Sequence, residues 1–112
     1  METITWNDFE KIDIRAGTII KAEAFPKAKK PAYQLLIDFG SNIGIKQSSA
    51  QITALYSIED LINRQVVAVV NFPPKQIANF VSECLVLGIY DENNNVMLLK
   101  PDKPIANGMK IG

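Results

Sequence analysis

The side chains that could carry chemistry in this 112-residue chain are few in kind. Histidine is absent and cysteine occurs once, at Cys84. A Ser-His-Asp or Cys-His nucleophile needs an imidazole, and a Cys/His zinc centre needs several such ligands, so both classes are excluded. Cys84 has no second cysteine for an intramolecular disulfide. It lies in the apolar run Cys84 to Ile89, where a small buried hydrophobe is its expected role. The adjacent acids Glu59 and Asp60 would not face each other on a helix, and they read as a first helical turn favoured by the helix dipole. Gly40 to Gly44 comes nearest to a glycine-rich phosphate loop, but it reads as a hairpin turn and leads into no helix. The expectation is a binding protein with no catalytic residue, no metal and no cofactor.

Three segments carry binding chemistry instead. Lys46 to Gln51 offers one cation, two amides and two hydroxyls. Those groups suit phosphate, ribose and base edges, or a peptide backbone, and they equally suit a capped turn. Asn71 to Glu83 combines a strand end with Phe72, Lys75, Phe80 and Ser82, and an aromatic ring beside a cation suits base stacking and phosphate contact. Lys27 to Lys30 places three lysines within four residues, including Lys29 and Lys30. Such a cluster is a solvated loop unless another basic segment lies alongside. Lys46, Lys75 and the Lys29/Lys30 loop are expected on one side of the fold, with Ser48, Ser49 and Asn71 between them.

The elements that must position these residues read mostly as strands. Thr5 and Asp8 form a capping-box pair ahead of a short helix with Trp6, Phe9 and Ile12 on one stripe, and Ser57 with Asp60 starts a second one. From Asp13 to Ala24 the period changes to two. Ile14, Ala16, Thr18, Ile20, Ala22 and Ala24 share a face, with Ile19 the one apolar residue on the other and Gly17 marking a bulge or bend. Tyr33 to Phe39 and Ile43 to Lys46 alternate around a Gly40-Ser41-Asn42 turn. Gln65 to Asn71 holds five consecutive apolar residues ended by Phe72-Pro73-Pro74, because proline cannot donate to a ladder. Cys84 to Ile89, Val96 to Leu99 and Met109 to Ile111 complete the set. Five or six short strands without βαβ spacing indicate an all-β, OB-like five-stranded antiparallel barrel with short helices; an SH3-like barrel or another small β-roll meets the same periodicity. Ile14, Ile20, Leu35, Ile37, Val66, Val70, Leu85 and Leu87 are the expected core.

Composition sets the outer limits. Apolar residues make up 47% and charged residues 21%, which are globular proportions. Twelve Lys and Arg balance twelve Asp and Glu, so a strongly basic coat for arbitrary nucleic acid is excluded, although a local patch is not. No apolar run approaches the ~20 residues that span a bilayer, and the Met1 to Thr5 start lacks a signal-peptide pattern. A cytoplasmic protein without membrane insertion is expected. The runs 66–70, 84–89 and 96–99 are apolar on both faces, so a second copy of the chain is expected to cover part of the outer surface.

Four ordered blocks resemble one known family. Ile12-Asp13-Ile14-Arg15-Ala16-Gly17-Thr18-Ile19 is similar to the D-[IL]-R-V-G-x-I signature of the tRNA-binding domain. Ile45 to Ile52, Val69 to Lys75 and Ser82 to Leu87 follow in the family's order, so the resemblance runs from about residue 9 to 112 within a single domain, 1–112. Ile45 to Ile52 and Val67 to Pro74 look most like the family's small export-associated chaperones. The resemblance implies an OB-fold and a homodimer, with tRNA or structured RNA as partner. The alternative it implies is a protein-export chaperone, which binds unfolded precursor proteins in an apolar groove and the secretion ATPase. Carried over residue by residue, it implies contacts from Arg15, Lys46, Gln47, Ser48, Ser49, Asn71, Lys75 and Ser82; a carboxylate such as Glu83 is an alternative partner for Arg15. Gln76 and Asn79 stand where many members have a further basic residue and a glycine, so modest RNA affinity is expected.

Overall fold

The computed structural model describes residues 1–112. Its helices are α1 (Trp6–Glu10) and α2 (Ile58–Leu61), and its strands are β1 (Ile14–Ala24), β2 (Tyr33–Asp38), β3 (Ile45–Ala50), β4 (Gln65–Val69), β5 (Lys75–Ile77), β6 (Phe80–Ser82), β7 (Leu85–Val86), β8 (Gly88–Tyr90) and β9 (Val96–Leu98). Five strands form one antiparallel sheet in the order β3-β2-β1-β4-β7, and β5-β6 and β8-β9 are separate hairpins. The sheet curls until its ends nearly meet, which makes an OB-like barrel. Both helices start on the expected capping boxes: Thr5 and Asp8 exchange bonds, as do Ser57 and Asp60. The bonds from the backbone and hydroxyl of Ser57 hold the Asp60 carboxyl below its ordinary range.

Strand β1 departs from a single alternation. Its pairing with β2 runs Ile19 to Ile37 and then Lys21 to Leu36, so Ile20 is the extra residue of a bulge. Before the bulge the inward residues are Gly17 and Ile19; after it Ala22 takes the inward place. The bulge is therefore at Ile20 rather than Gly17, and Ile19 belongs to the core while Ile20 is 42% exposed. Gly17 has a different role: a Cβ there would lie 2.7 Å from the Phe39 ring and 2.8 Å from Ile37. Leu35, Ile37 and Val66 are buried as expected, whereas Ile14, Val70 and Leu87 are half-buried and Leu85 is 48% exposed.

Side chains, more than backbone, close the barrel. The polar stretch after Lys46 is not a turn but the body of β3, paired residue by residue from Tyr33–Ala50 to Asp38–Ile45 with β2. On its other edge, Glu83 N–H donates to Gln47 O at 2.8 Å. Gln47 N–H donates to Glu83 Oε1 at 3.0 Å, and Ser49 N–H donates to Ser82 Oγ at 3.1 Å. Polar residues tolerate strand geometry here because every one of these bonds has a defined acceptor. The segment between Phe72 and Glu83 folds as the β5-β6 hairpin around Ala78 at φ 51°.

Two expectations about the outer surface change. Val67 and Val69, on the face away from the core cluster, are buried within one chain, so β4 needs no partner to cover it. Ile89 and Met97 are cross-strand neighbours, and both stay exposed. On the first half of β1 the C-terminal segment lies as an added edge. Ala16 N–H donates to Met109 O, Gly108 N–H to Ala16 O and Ile111 N–H to Ile14 O, where a short strand is expected. Helix α1 carries its stripe outward: Trp6 is 68% exposed and packs against Phe9 in a tilted pair, 5.4 Å between ring centroids.

Candidate nucleic-acid interface

Period-2 geometry divides the β3 residues between two faces. Ser48 and Ala50 face the barrel interior, opposite Leu35 and Tyr33, and Lys46 shares that side opposite Ile37. Ser48 is 1% exposed, and its Oγ donates to Cys84 O at 3.1 Å. Gln47 and Ser49 take the outer side. The Gln47 Nε2 donates to Val81 O at 2.7 Å, which joins the barrel to the β5-β6 hairpin.

Two neighbouring depressions meet at Ser49 and Ile77. The first, about 340 Å³, is lined by Lys27, Lys29, Lys30, Ser49, Gln51 and Ile77 with Ala28, Ala32 and Ala78. The second, about 310 Å³, is lined by Ser49, Phe72, Pro73, Lys75, Ile77, Ser82, Cys84 and Leu85. Lys75 and Ser82 are cross-strand partners in the hairpin, so both reach the same wall. No carboxylate lines either depression, and none of their four lysines is in an ion pair; those pairs are Lys11–Asp8, Arg15–Asp13 and Lys21–Glu23. The face is therefore cationic although the whole chain is neutral.

The structure thus brings together Lys29, Lys30, Ser49, Lys75 and Ser82. It does not bring Lys46, Gln47, Ser48, Asn71 or Arg15 into either depression. Asn71 ties the start of the chain to the end of β4, with Nδ2 donating to Lys11 O at 2.7 Å and Oδ1 accepting from Asp13 N–H at 3.0 Å. Arg15 pairs with Asp13 at 2.6 Å, not with Glu83, and its Nη1 donates to Gly108 O at 3.0 Å. Its guanidinium holds the C-terminal segment against β1. Lys27 and Gln51 come from two of the expected binding segments, and Ile77 and Leu85 are additions. Nothing local marks Ile77, because the hairpin that presents it is only three residues deep on each side.

Cys84 forms the floor of the second depression as a thiol. Burial pushes it from 9.0 up to about 11, against smaller opposing effects of the Lys46 charge and the Ser48 hydroxyl. It is protonated at neutral pH, which keeps its reactivity as a nucleophile low. No helix of the structure is long and apolar enough to cross a membrane.

Comparison with known proteins agrees with this geometry. Residues 14–110 match the model of the family described as "Putative tRNA binding domain". The methionine–tRNA ligase of Methanocaldococcus jannaschii is 36% identical over 111 residues, which is 99% of this chain but 17% of the ligase, so the chain spans about a sixth of that relative. The crystal structure of chaperone CsaA from Bacillus anthracis superimposes with a TM-score of 0.94 at 52% identity, covering 99% of this chain and 100% of that one. CsaA chaperone protein from Picrophilus torridus gives 0.93 at 56% identity, covering 98% and 100%. An OB-like barrel whose blocks match that model along nearly its whole length leads to one conclusion: the chain belongs to the tRNA-binding domain family.

Proposed function

We propose that residues 1–112 act as a single RNA-binding module, taking tRNA or another structured RNA on the face around Ser49 and Ile77. One observation carries this reading: four unpaired lysines surround two joined depressions that no carboxylate lines. Those lysines would displace condensed counterions from the RNA phosphates, and Ser49 and Ser82 would position the backbone without contributing to the salt dependence. Membership of the family supports the same ligand class. Binding and not catalysis is the function, the working compartment is the cytoplasm, and Arg15 and Asn71 act by holding the chain termini against the barrel. The test is a titration against bulk tRNA at two salt concentrations. If all four lysines engage, the log–log slope is about −3 to −4. A flat salt response, or no binding at low salt, rejects the reading.

The module is a homodimer in this proposal. Ile4, Trp6 and Phe9 surround a depression beside Gly112, and Ile89, Tyr90 and Met97 remain exposed on the β8-β9 hairpin. A self-association surface of more than ~1,000 Å² with an apolar centre would cover such residues. Sedimentation equilibrium at micromolar concentration giving only the monomer mass rejects this part.

A second reading is favoured by the whole-chain likeness to the two CsaA chaperones. In it the protein serves export by binding unfolded precursor polypeptides, with Ile77 and Leu85 as apolar contacts, and by meeting the secretion ATPase. Lysine-to-glutamine changes then leave polypeptide binding unaltered, while Leu85→Asp abolishes it. The opposite pattern rejects the chaperone reading.

A further inference from the structure

Phe72 differs from every other phenylalanine in the chain. Phe9 packs against Trp6, Phe25 and Phe80 pack on each other at 5.5 Å, and Phe39 is buried. Phe72 is 53% exposed, belongs to neither aromatic pair, and lines the second depression beside Lys75. Its backbone is clamped from both directions. Asn71 is held by its side-chain bonds to Lys11 and Asp13, and Pro73-Pro74 follow with their φ angles set by the pyrrolidine rings. An exposed aromatic ring on so restrained a backbone loses little further freedom when something stacks on it.

We propose that the two depressions form one track for an unpaired stretch of RNA, in which a base lies face-on against Phe72 while Lys75 and the lysines of residues 27–30 take phosphates along the strand. This rests on the RNA-binding reading above and adds which state of the RNA is bound. The depressions share Ser49 and Ile77, so they adjoin on one face and one extended ligand can touch both. The first is framed by lysines and small residues, which suits a phosphate path. The second adds Phe72, Pro73 and Leu85, which suits a base. A paired base has both faces covered by its neighbours in the stack, so an A-form duplex has nothing to offer the Phe72 ring. Every base has a π-face, so the track reads strandedness more than sequence. An unfolded polypeptide carries no regular row of negative charge to match the unpaired lysines, which favours RNA as the occupant.

The experiment is fluorescence anisotropy with a labelled single-stranded oligoadenylate hexamer, a blunt RNA duplex and bulk tRNA, each at about 50 mM and about 200 mM salt. The proteins are the wild type, Phe72→Ala, Phe72→Leu, Phe72→Tyr and Lys75→Gln. The exposure of Phe72 keeps these variants folded, which thermal unfolding checks. The expected result is that the hexamer binds more tightly than the duplex. Phe72→Ala and Phe72→Leu weaken hexamer binding by about 5- to 150-fold, and Phe72→Tyr retains it. Phe72 variants leave the salt slope unchanged, whereas Lys75→Gln lowers it. The proposal is overturned, with RNA binding left standing, if tRNA binds but Phe72→Ala binds hexamer and tRNA as the wild type does. It is likewise overturned if the duplex binds as tightly as the hexamer, or if Phe72→Ala impairs binding of a reduced unfolded polypeptide and not of RNA. Absence of any RNA binding at the lower salt removes the RNA-binding reading itself and the track with it.

Discussion

Gln47 and Glu83, 36 residues apart, bind each other twice: the Glu83 amide donates to the Gln47 carbonyl at 2.8 Å, and the Gln47 amide donates to the Glu83 carboxylate at 3.0 Å. The second bond puts a side-chain oxygen where a neighbouring strand would supply a carbonyl. Ser82 repeats the device for the Ser49 amide. The barrel seam beneath the proposed RNA track is thus held by a carboxylate and a hydroxyl.

Removing that carboxylate leaves the half-buried Gln47 amide without an acceptor. Glu83→Ala is expected to cost about 1–3 kcal/mol in urea unfolding, and Glu83→Gln, which keeps a side-chain oxygen, less than half of that. Equal losses for the two variants would show that the charge and not the bond matters.

The phase of the strands is tested by truncation. Ile37 is fully buried between β1 and β3, so Ile37→Ala is expected to cost about 2–5 kcal/mol. Ile20 and Leu85 sit on apolar runs but are substantially exposed, and Ile20→Ala and Leu85→Ala are expected to cost well below that range. Chemical denaturation of the three variants ranks them directly.

Gly17 faces the Phe39 ring so closely that an added methyl cannot fit without movement. Gly17→Ala is expected to destabilise by about 1–3 kcal/mol. Phe39→Leu should relieve part of this loss, so the double variant is expected to be more stable than the sum of single effects implies. Strict additivity would remove the close-approach explanation.

The Cys84 thiol gives a pH dependence. Its folded pKa, about 11, lies above its unsupported value of 9.0, so folding favours the protonated form. The stabilisation linked to it is complete below pH 9 and is lost as pH rises toward 11. The difference in unfolding free energy between the wild type and Cys84→Ala should therefore be constant from pH 6 to 8 and shrink above 9. Alkylation of the native protein by iodoacetamide at pH 8 should be far slower than of the urea-unfolded chain.

Lysine variants separate face from sequence position. Lys75→Gln should reduce the RNA salt slope by about 0.7–0.9, because one phosphate contact is lost. Lys46→Gln should leave the slope unchanged, since Lys46 shares the interior side of β3 with Ser48. Ser49→Ala should weaken binding without changing the slope, a hydroxyl releasing no counterion.

Local signals in the sequence determined the parts of this protein that depend on few neighbours. Thr5 with Asp8 and Ser57 with Asp60 specify their helix starts within four residues, and both capping boxes form. The β-branched run from Val66 to Val70 gives a strand because proline stops it and valine fits the pleat. The four family blocks specify the OB-like barrel as a whole, since their order encodes a topology that periodicity alone leaves shared with other small barrels. Tertiary structure decided the rest. One inserted residue, Ile20, reverses which side of β1 is inside, and only the pairing with β2 reveals it. The polar body of β3 is a strand because β2 pairs with it along its length and Ser82 and Glu83 arrive from more than thirty residues away to satisfy its outer amides. That same register sends Ser49 outward to Lys29, Lys30 and Lys75 and sends Ser48 and Lys46 inward. Lys46 to Ala50 are therefore divided between the outer face and the interior by a two-residue period that becomes meaningful only once β3 has a partner on each edge.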